Sequence, residues 1–426
     1  MNENVRWGVF TPRMGAGAFA CEAVTNSKPL FALSFKDKMF QEIDQDFCNY
    51  RPEVPYYILD EQEPDHSLFK DIDFVFNVCP CSGLSSIVTS EDEDMSGENA
   101  VKNECMYKSA EYILGTIKPR VMFAENGDAL CTSRGMGVSQ KLYNIGKKYG
   151  YSFSLYRTNG ILHNVPHHRK RSFYFFWKDD KAPRLHWIDN KYDGNLADYL
   201  DSIPKDIPLN DVYPWPGCPR PQDKYKPFQF LLERLDLGYE ECIKKFEKKD
   251  TVKVLRKEGL MYECLDWLKQ NYNDERYNST DWSKTYPVYW QHLIDNFEAG
   301  RGIFDCNSIR FCYKQLNAFV RKNVNRMVHP REERFISLRE YLTLMGFPYD
   351  FIPVRCDPSI NRVWTFQRIT KGVMGQTVHD LCEEVVKYLD GQLKYTNSEF
   401  VLQDNTTQTI KYIIDEQPEL FSEEDQ

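Results

Sequence analysis

The 426-residue chain lacks any apolar run near the about 18 to 20 residues that cross a bilayer, and its start, MNENVRWGVF, has neither a basic flank nor an apolar signal core. A cytoplasmic protein with no membrane partner is expected. An excess of positive charge is missing too: 54 basic against 63 acidic residues leave −9, so any contact with nucleic acid must rest on a local site rather than on global attraction. Thirteen cysteines are an odd number without paired CxxC or Cys/His ligand spacing, so neither a disulfide framework nor a metal site is expected. Internal repeats and low-complexity tracts are also missing. What is present, 42% hydrophobic and 27% charged residues, is the mixture of a globular protein. At about 150 residues per domain, the length predicts two or three folding units.

From residue 5 to about 177, short β-rich runs alternate with helical periodicity. Candidate strands are Val5–Phe10, Leu30–Phe35, Val54–Leu59, Ile72–Val78, Arg120–Ala124, Phe153–Arg157 and Ser172–Trp177. Helical spacing joins Met106, Ala110, Ile113, Leu114 and Ile117, and again Val138, Leu142, Ile145 and Tyr149. This βαβα order predicts an α/β fold, a doubly wound and mostly parallel sheet covered by helices. After Trp177 the texture changes to a proline-punctuated stretch (Pro204 to Pro221) and then charged helical sequence near 228–270, which reads as a second domain over 178–328. SLREYLTLMGF and the amphipathic helix carrying Val378, Leu381, Val385 and Leu389 form a return segment, 329–395. Residues 396–426 read as an extension, solvated and acidic from about Asn397.

Four segments carry chemistry. FTPRMGAGAF (10–19) is a glycine-bearing turn directly after the first strand, where nucleotide-like ligands bind in such sheets; Asp60 closes the third strand at the same edge and reads equally as a helix cap. NVCPCSGLSS (77–86) ends a buried strand in Pro80-Cys81-Ser82-Gly83, placing a thiol at the sheet's mouth, with Cys79 expected to belong to the strand. MFAENGD (122–128) ends a strand in Glu125-Asn126, a carboxyl suited to proton donation or to pairing with a cation. In VPHHRKRSFYFFW, Arg169 and Arg171 alternate on one face, so both guanidinium groups can point toward one pocket.

Taken in order, these segments resemble the DNA (cytosine-5) methyltransferase family over the N-terminal 177 residues and from about 329 to 390. FTPRMGAGAF is similar to its cofactor turn, PCSGLS to its Pro-Cys signature, EN to its Glu-Asn pair and RKR to its Arg-x-Arg signature. MVHPREERFISLREYLTLMGFP and VMGQTV are similar to its closing segments. The resemblance implies S-adenosyl-L-methionine as cofactor and double-stranded DNA as partner, with the chain acting as a monomer. It implies Cys81 as the thiolate that adds to cytosine C6, Glu125 at N3 and the exocyclic amine, Arg171 at O2, and Arg169 supporting the pocket or a phosphate. A ring inside a duplex cannot be reached from both faces, so the base must be flipped out. On the cofactor side it implies Phe10 against the adenine, Gly15 and Gly17 near the methionine part, Asp60 at the adenine amine, and Pro80, Gln376 and Thr377 completing the pocket. The segment 178–328 falls where the family carries its target-recognition domain, and basic stretches such as Asn317–Arg326 are candidates for phosphate contact.

Several positions depart from the family pattern. The first turn is longer, the acid expected after the second strand falls at Ser34 or Phe35 with Asp37 as the nearest carboxylate, Gln376 replaces Asn, and His167 replaces Gln. The run Glu91 to Asp94 puts four acids into the loop expected to close over DNA, a disordered or autoinhibitory arrangement. Two other readings share the same motifs: an RNA cytosine C5 methyltransferase of the same fold, and a nucleic-acid or partner-binding protein with a decayed cofactor site.

Overall fold

The computed structural model describes residues 5–79, 103–214, 217–272, 286–301, 308–317, 326–354 and 362–413. The chain divides into two compact units, the first from Met1–Tyr192, Leu342–Val354 and Lys371–Gln426, the second from Asp193–Tyr341 and Arg355–Thr370. The chain thus enters the second unit at 193, not 178. Residues just past Trp177 are still held by the first unit: Ala182 N–H donates to Ser398 O (3.0 Å) and Leu185 N–H to Gln403 Oε1 (2.9 Å).

The first unit is built on nine strands: β1 (Trp7–Phe10), β2 (Ala32–Ser34), β3 (Tyr56–Ile58), β4 (Phe74–Asn77), β5 (Val121–Gly127), β6 (Ser152–Asn159), β7 (Lys170–Trp177), β8 (Phe400–Asp404) and β9 (Thr409–Tyr412). They lie side by side in the order β9-β8-β6-β7-β5-β4-β1-β2-β3. Pairings are parallel except at β7, which runs against both β5 and β6, and at β9, which runs against β8. The central strands WGVF and FVFN are buried at every position, as expected when helices cover both faces. Helices α1 (Ala16–Thr25), α2 (Lys38–Tyr50), α3 (Glu104–Tyr112), α4 (Met136–Lys148) and α14 (Gly375–Leu389) bury their apolar sides against this unit.

All seven expected strands are present within this sheet. The stretch from 397, expected as a solvated tail, is not one. Phe400–Asp404 pairs in parallel with β6, and the ring of Phe400 lies 5.0 Å from that of Phe153 and 5.2 Å from that of Tyr143. The physical reason is local: FVL is a short apolar run, and a polar turn with Gln408 at φ 54° sends TIKY back beside it. The acidic residues from 414 lie outside the described residues.

The described residues of the second unit are mainly helical: α5 (Leu196–Asp201), α6 (Pro221–Lys224), α7 (Lys226–Leu235), α8 (Tyr239–Lys245), α9 (Thr251–Lys257), α10 (Met261–Tyr272), α11 (Tyr286–Glu298) and α13 (Arg362–Ile369), with α12 (Leu338–Leu344) carrying the chain back to the first unit. Phe228, Leu231, Val254, Leu255, Leu265 and Trp290 stand in its own core. Among the described residues no helix is long and apolar enough to cross a membrane.

Because Phe400 is 2% exposed, Phe400→Ala is expected to lower unfolding free energy by about 3 to 5 kcal/mol, read by urea denaturation; a solvated tail would leave stability unchanged.

Candidate active site

The carboxyl ends of the parallel strands gather the chemistry. β1 delivers Phe10, β3 is followed by Asp60, β4 leads through Cys79 toward Pro80 and Cys81, and β5 ends beyond Glu125; β7, running the opposite way, begins at the same edge with Lys170 and Arg171. The antiparallel register sets Gly127 opposite Arg171 and Glu125 opposite Phe173. Across this ladder Arg171 Nε lies 2.6 Å from Glu125 Oε1, a carboxylate only 5% exposed. Arg169 is turned elsewhere: its Nη2 donates to the carbonyl of Gly372 (2.8 Å), just ahead of α14, and its backbone N–H donates to Asn159 Oδ1 (3.0 Å). The two arginines therefore serve different partners. His167 beside them is buried, and desolvation with the Arg169 and Arg171 charges pushes its imidazole well below the usual range, so it stays neutral. Pro80 and Cys81 lie outside the described residues, as does Glu91 to Asp94.

The glycine turn is more strained than its composition suggests. Thr11 (φ 52°) and Arg13 (φ 57°) occupy the left-handed region without being glycine, followed by Gly15 at φ 103°. Such positions cost roughly 1 to 3 kcal/mol each and persist where the surroundings hold them. Here Thr11 N–H donates to Leu33 O (2.6 Å), Arg13 N–H to Asp44 Oδ1 (2.9 Å), and Arg13 Nε to Val78 O (3.1 Å). A Cβ on Gly17 would stand 2.3 Å from the Phe76 ring, so this glycine allows helix and sheet to touch. A Cβ on Gly375 would stand 3.0 Å from Gly346 O and 3.3 Å from Ala16 O, so the start of α14 meets the start of α1 backbone to backbone. That contact places Gln376 and Thr377 beside the turn. Gln376 spends its side-chain amide on Asp380 Oδ1 (2.9 Å), and Thr377 is buried. Asp380 also takes a hydrogen bond from His163 Nδ1 (2.7 Å), whose Nε2 meets Thr158 Oγ1 (2.7 Å).

Phe10 is fully buried, with its ring 5.2 Å from Phe35 and 6.4 Å from Tyr112. Phe35 and Tyr112 also line a cleft of about 460 Å³ with Tyr107, Lys108, Glu111 and Ile145. Asp60, exposed, accepts from the backbone N–H of Lys36 (2.6 Å), the residue after Phe35. An aromatic cleft with a carboxylate on the neighbouring strand end fits an adenosyl group. Ser34 ends β2 buried, and Asp37 stands half-buried ahead of α2.

Two features escaped the sequence reading. Asp44, on α2, is wholly buried and accepts from Arg13 N–H and from Tyr56 O–H (2.9 Å); burial, opposed by Arg13 and these hydrogen bonds, pushes its carboxyl up to about 6. An acid next to Ile43 in a helix gives no sign of this. Cys79, buried just past the end of β4, lies 3.2 Å from Asn77 Nδ2 and 3.2 Å from Ser109 Oγ. Burial would raise that thiol, but hydrogen bonds with Cys105, Ser109 and Asn77 and the Arg13 charge hold it below its usual range.

Among the described residues, two groups of possible metal ligands have other partners. In the second unit Asp201, His329 and Glu332 approach one another, yet His329 Nδ1 accepts the backbone N–H groups of Arg331 (3.3 Å) and Glu332 (3.0 Å). The ring proton then sits on Nε2, the atom a metal would need bare. Arg331 pairs with Asp201, and Arg334 with Glu332. In the first unit the group His379, Asp380 and Glu383 shares Asp380 with His163 and Gln376.

A family profile for C-5 cytosine-specific DNA methylase matches residues 29–384, most of the chain. The chain belongs to the C-5 cytosine-specific DNA methylase family. Membership makes it a methyltransferase, and the family's enzymes generally use S-adenosylmethionine. The first strand and the glycine turn lie ahead of the matched stretch. Two solved structures share the fold: the Entamoeba histolytica methyltransferase EhMeth, 14% identical with a TM-score of 0.50, covering 91% of this chain and 99% of its own; and an E. coli prophage protein named as a DNA modification methyltransferase, 16% identical with a TM-score of 0.51, covering 91% and 100%. No curated protein matches the sequence.

The raised Asp44 carboxyl has a measurable sign. The folded state holds this proton up to about pH 6 while the unfolded chain releases it near 4, so the contribution to stability is complete below about pH 4 and is lost as pH rises through about 6. Two units correspond to about 3 kcal/mol. Urea denaturation at pH 4 and pH 7 is expected to show wild type losing up to about that much relative to Asp44→Asn; equal pH dependence in both proteins contradicts the assignment.

Proposed function

We propose that this methyltransferase methylates cytosine C5 in double-stranded DNA, with Cys81 as nucleophile and Glu125 and Arg171 holding the flipped base. The observation that carries the reading is the buried Glu125 carboxylate braced at 2.6 Å by Arg171, at the edge where β4 leads the chain toward Cys81. Cytosine C5 is a poor nucleophile. Addition of the Cys81 thiolate at C6 moves the ring electrons to C5, and a proton or hydrogen bond from Glu125 at N3 stabilises the charge that develops. Arg171 orients Glu125 before the base arrives and faces O2 once it is in place. After methylation, loss of the C5 proton and expulsion of the Cys81 sulfur restore the aromatic ring and free the enzyme.

S-adenosylmethionine supplies the electrophilic methyl group when bound. Phe10 and the cleft beside it suit its adenine, Asp60 suits the adenine amine, and the paired starts of α1 and α14, with Gly15, Gly17, Gln376 and Thr377, form the wall near its methionine part. Asp37 is the carboxylate nearest the position where ribose hydroxyls are expected, since Ser34 is buried at the end of β2. Pro80, outside the described residues, is the remaining residue the resemblance puts on this side. Arg169 supports the site from behind by fastening Gly372. The second unit reads the target.

Incubation with a 5-fluorocytosine duplex and S-adenosylmethionine, followed by denaturing electrophoresis, is expected to give a covalent adduct that Cys81→Ser abolishes and Cys79→Ser retains. Glu125→Gln is expected to slow adduct formation by roughly 10² to 10⁴. An adduct that survives Cys81→Ser overturns the nucleophile assignment, and transfer to tRNA without transfer to duplex DNA overturns the substrate.

A further inference from the structure

The second unit contains a corner between two helices that the base-flipping chemistry does not use. α9 (Thr251–Lys257) starts at Asp250, whose carboxylate accepts Lys253 N–H (3.0 Å), and ends on a left-handed Gly259 (φ 73°). There Gly259 N–H donates to Arg256 O (3.2 Å) and Leu260 N–H to Leu255 O (2.8 Å), the paired closing bonds that stop a helix sharply. Leu260 at once opens α10: its carbonyl accepts Cys264 N–H (2.9 Å). Three residues therefore turn one helix into the next, with the glycine that such a corner requires. Both helices are anchored from behind: Val254 and Leu255 of α9 and Cys264, Leu265 and Leu268 of α10 share a core with Phe228 and Leu231 of α7, and Trp290 Nε1 donates to Met261 O (3.0 Å).

The outward faces differ in character. α9 exposes Lys253, Arg256 and Lys257 with Glu258 beside them, while of the lysines ahead of it Lys244 pairs with Glu240 (2.7 Å) and Lys245 and Lys248 are exposed, so cations outnumber acids locally in a chain of net charge −9. α10 exposes Tyr262, Glu263, Asp266, Lys269 and Gln270, five positions that fall on one side of a helix. Tyr262 bonds Glu298, and Glu263 pairs with Arg234. Cations on the first helix suit phosphates, whereas a mixed polar face on the second suits base edges. Carboxylates accept from the cytosine N4 amine and glutamine pairs with adenine in the major groove.

We infer that α9 and α10 form a helix-turn-helix that docks on duplex DNA, α9 laying Lys253, Arg256 and Lys257 along the phosphates and α10 presenting Asp266, Gln270 and their neighbours to base edges. The inference rests on the reading of this enzyme as one that acts on duplex DNA and names the surface that selects the site. The acids on α10 carry a second consequence: they repel phosphate, so the helix is tolerated in the groove only where bases offer amine donors, which converts repulsion into selectivity.

The test uses the full chain, a labelled mixed-sequence duplex, and bisulfite sequencing of plasmid DNA methylated by each protein. Lys253→Gln/Arg256→Gln/Lys257→Gln is expected to weaken duplex binding at least tenfold and to reduce the slope of log Kd against log salt by about 3, near 0.9 per lost phosphate contact, with the pattern of methylated sites retained. Asp266→Asn/Gln270→Ala is expected to change which sites are methylated while the salt slope stays. Thermal unfolding of each variant, all at exposed positions, checks that the fold is intact. Wild-type methylation of duplex DNA combined with an unchanged salt slope and unchanged sites overturns the helix-turn-helix and leaves the function standing. Wild-type transfer to RNA with no binding to the duplex overturns both.

Discussion

One strand running the wrong way holds the site together. β7 lies antiparallel between β5 and β6, and because β5 ends where β7 begins, the carboxylate of one strand and the guanidinium of the other emerge at the same edge within ion-pair distance. Parallel neighbours also bring their carboxyl ends to one edge; the antiparallel pair differs in setting the end of β5 against the start of β7, so a residue leaving one strand and a residue entering the other face each other across one ladder. Shifting the ladder by one residue would turn Glu125 and Arg171 to opposite faces. The packed rings of Phe123 and Phe175, stacked at 5.7 Å across the same ladder, make that shift unfavourable.

Several strong charges of the first unit are consumed in positioning. Arg13 and Arg169 are buried, and each donates to a backbone carbonyl, of Val78 and of Gly372. Asp44 does the converse for a backbone N–H. These three side chains secure the glycine turn, the exit of β4 and the approach to α14, which are the segments that frame the proposed cofactor site. The balance of basic and acidic residues over the whole chain therefore says little about what the surface presents to a polyanion. Local clusters decide that, as on α9.

Alternating apolar runs made the seven strands from Trp7 to Trp177 legible, because a doubly covered parallel strand must be apolar on both faces. Glu125 and Arg171 were legible for a related reason: chemistry-bearing residues stood directly after or before such runs. Asp44 and the Cys79–Ser109 contact were not, since each depends on which helix side chain meets which strand end, and no spacing encodes that. Arg169 could be placed on the same face as Arg171, yet its guanidinium turned to a carbonyl presented by residues two hundred positions later. The last two strands were hidden by composition, since FVL is only three apolar residues long and a polar, then acidic, stretch follows it.

That late pairing of β8 with β6 bears on how the protein is made. During synthesis the edge of β6 emerges early, then some two hundred and forty residues must follow before its partner exists. Throughout that interval a strand with a buried-type sequence stands with open hydrogen-bonding groups, the situation in which unrelated chains add to an edge and aggregate. The helical second unit, whose contacts are short in sequence, can fold in the meantime. Addition of Phe400–Asp404 and then of Thr409–Tyr412 thus covers the flank of β6 late, and a ribosome that stops short of them releases a chain with an exposed, adhesive flank.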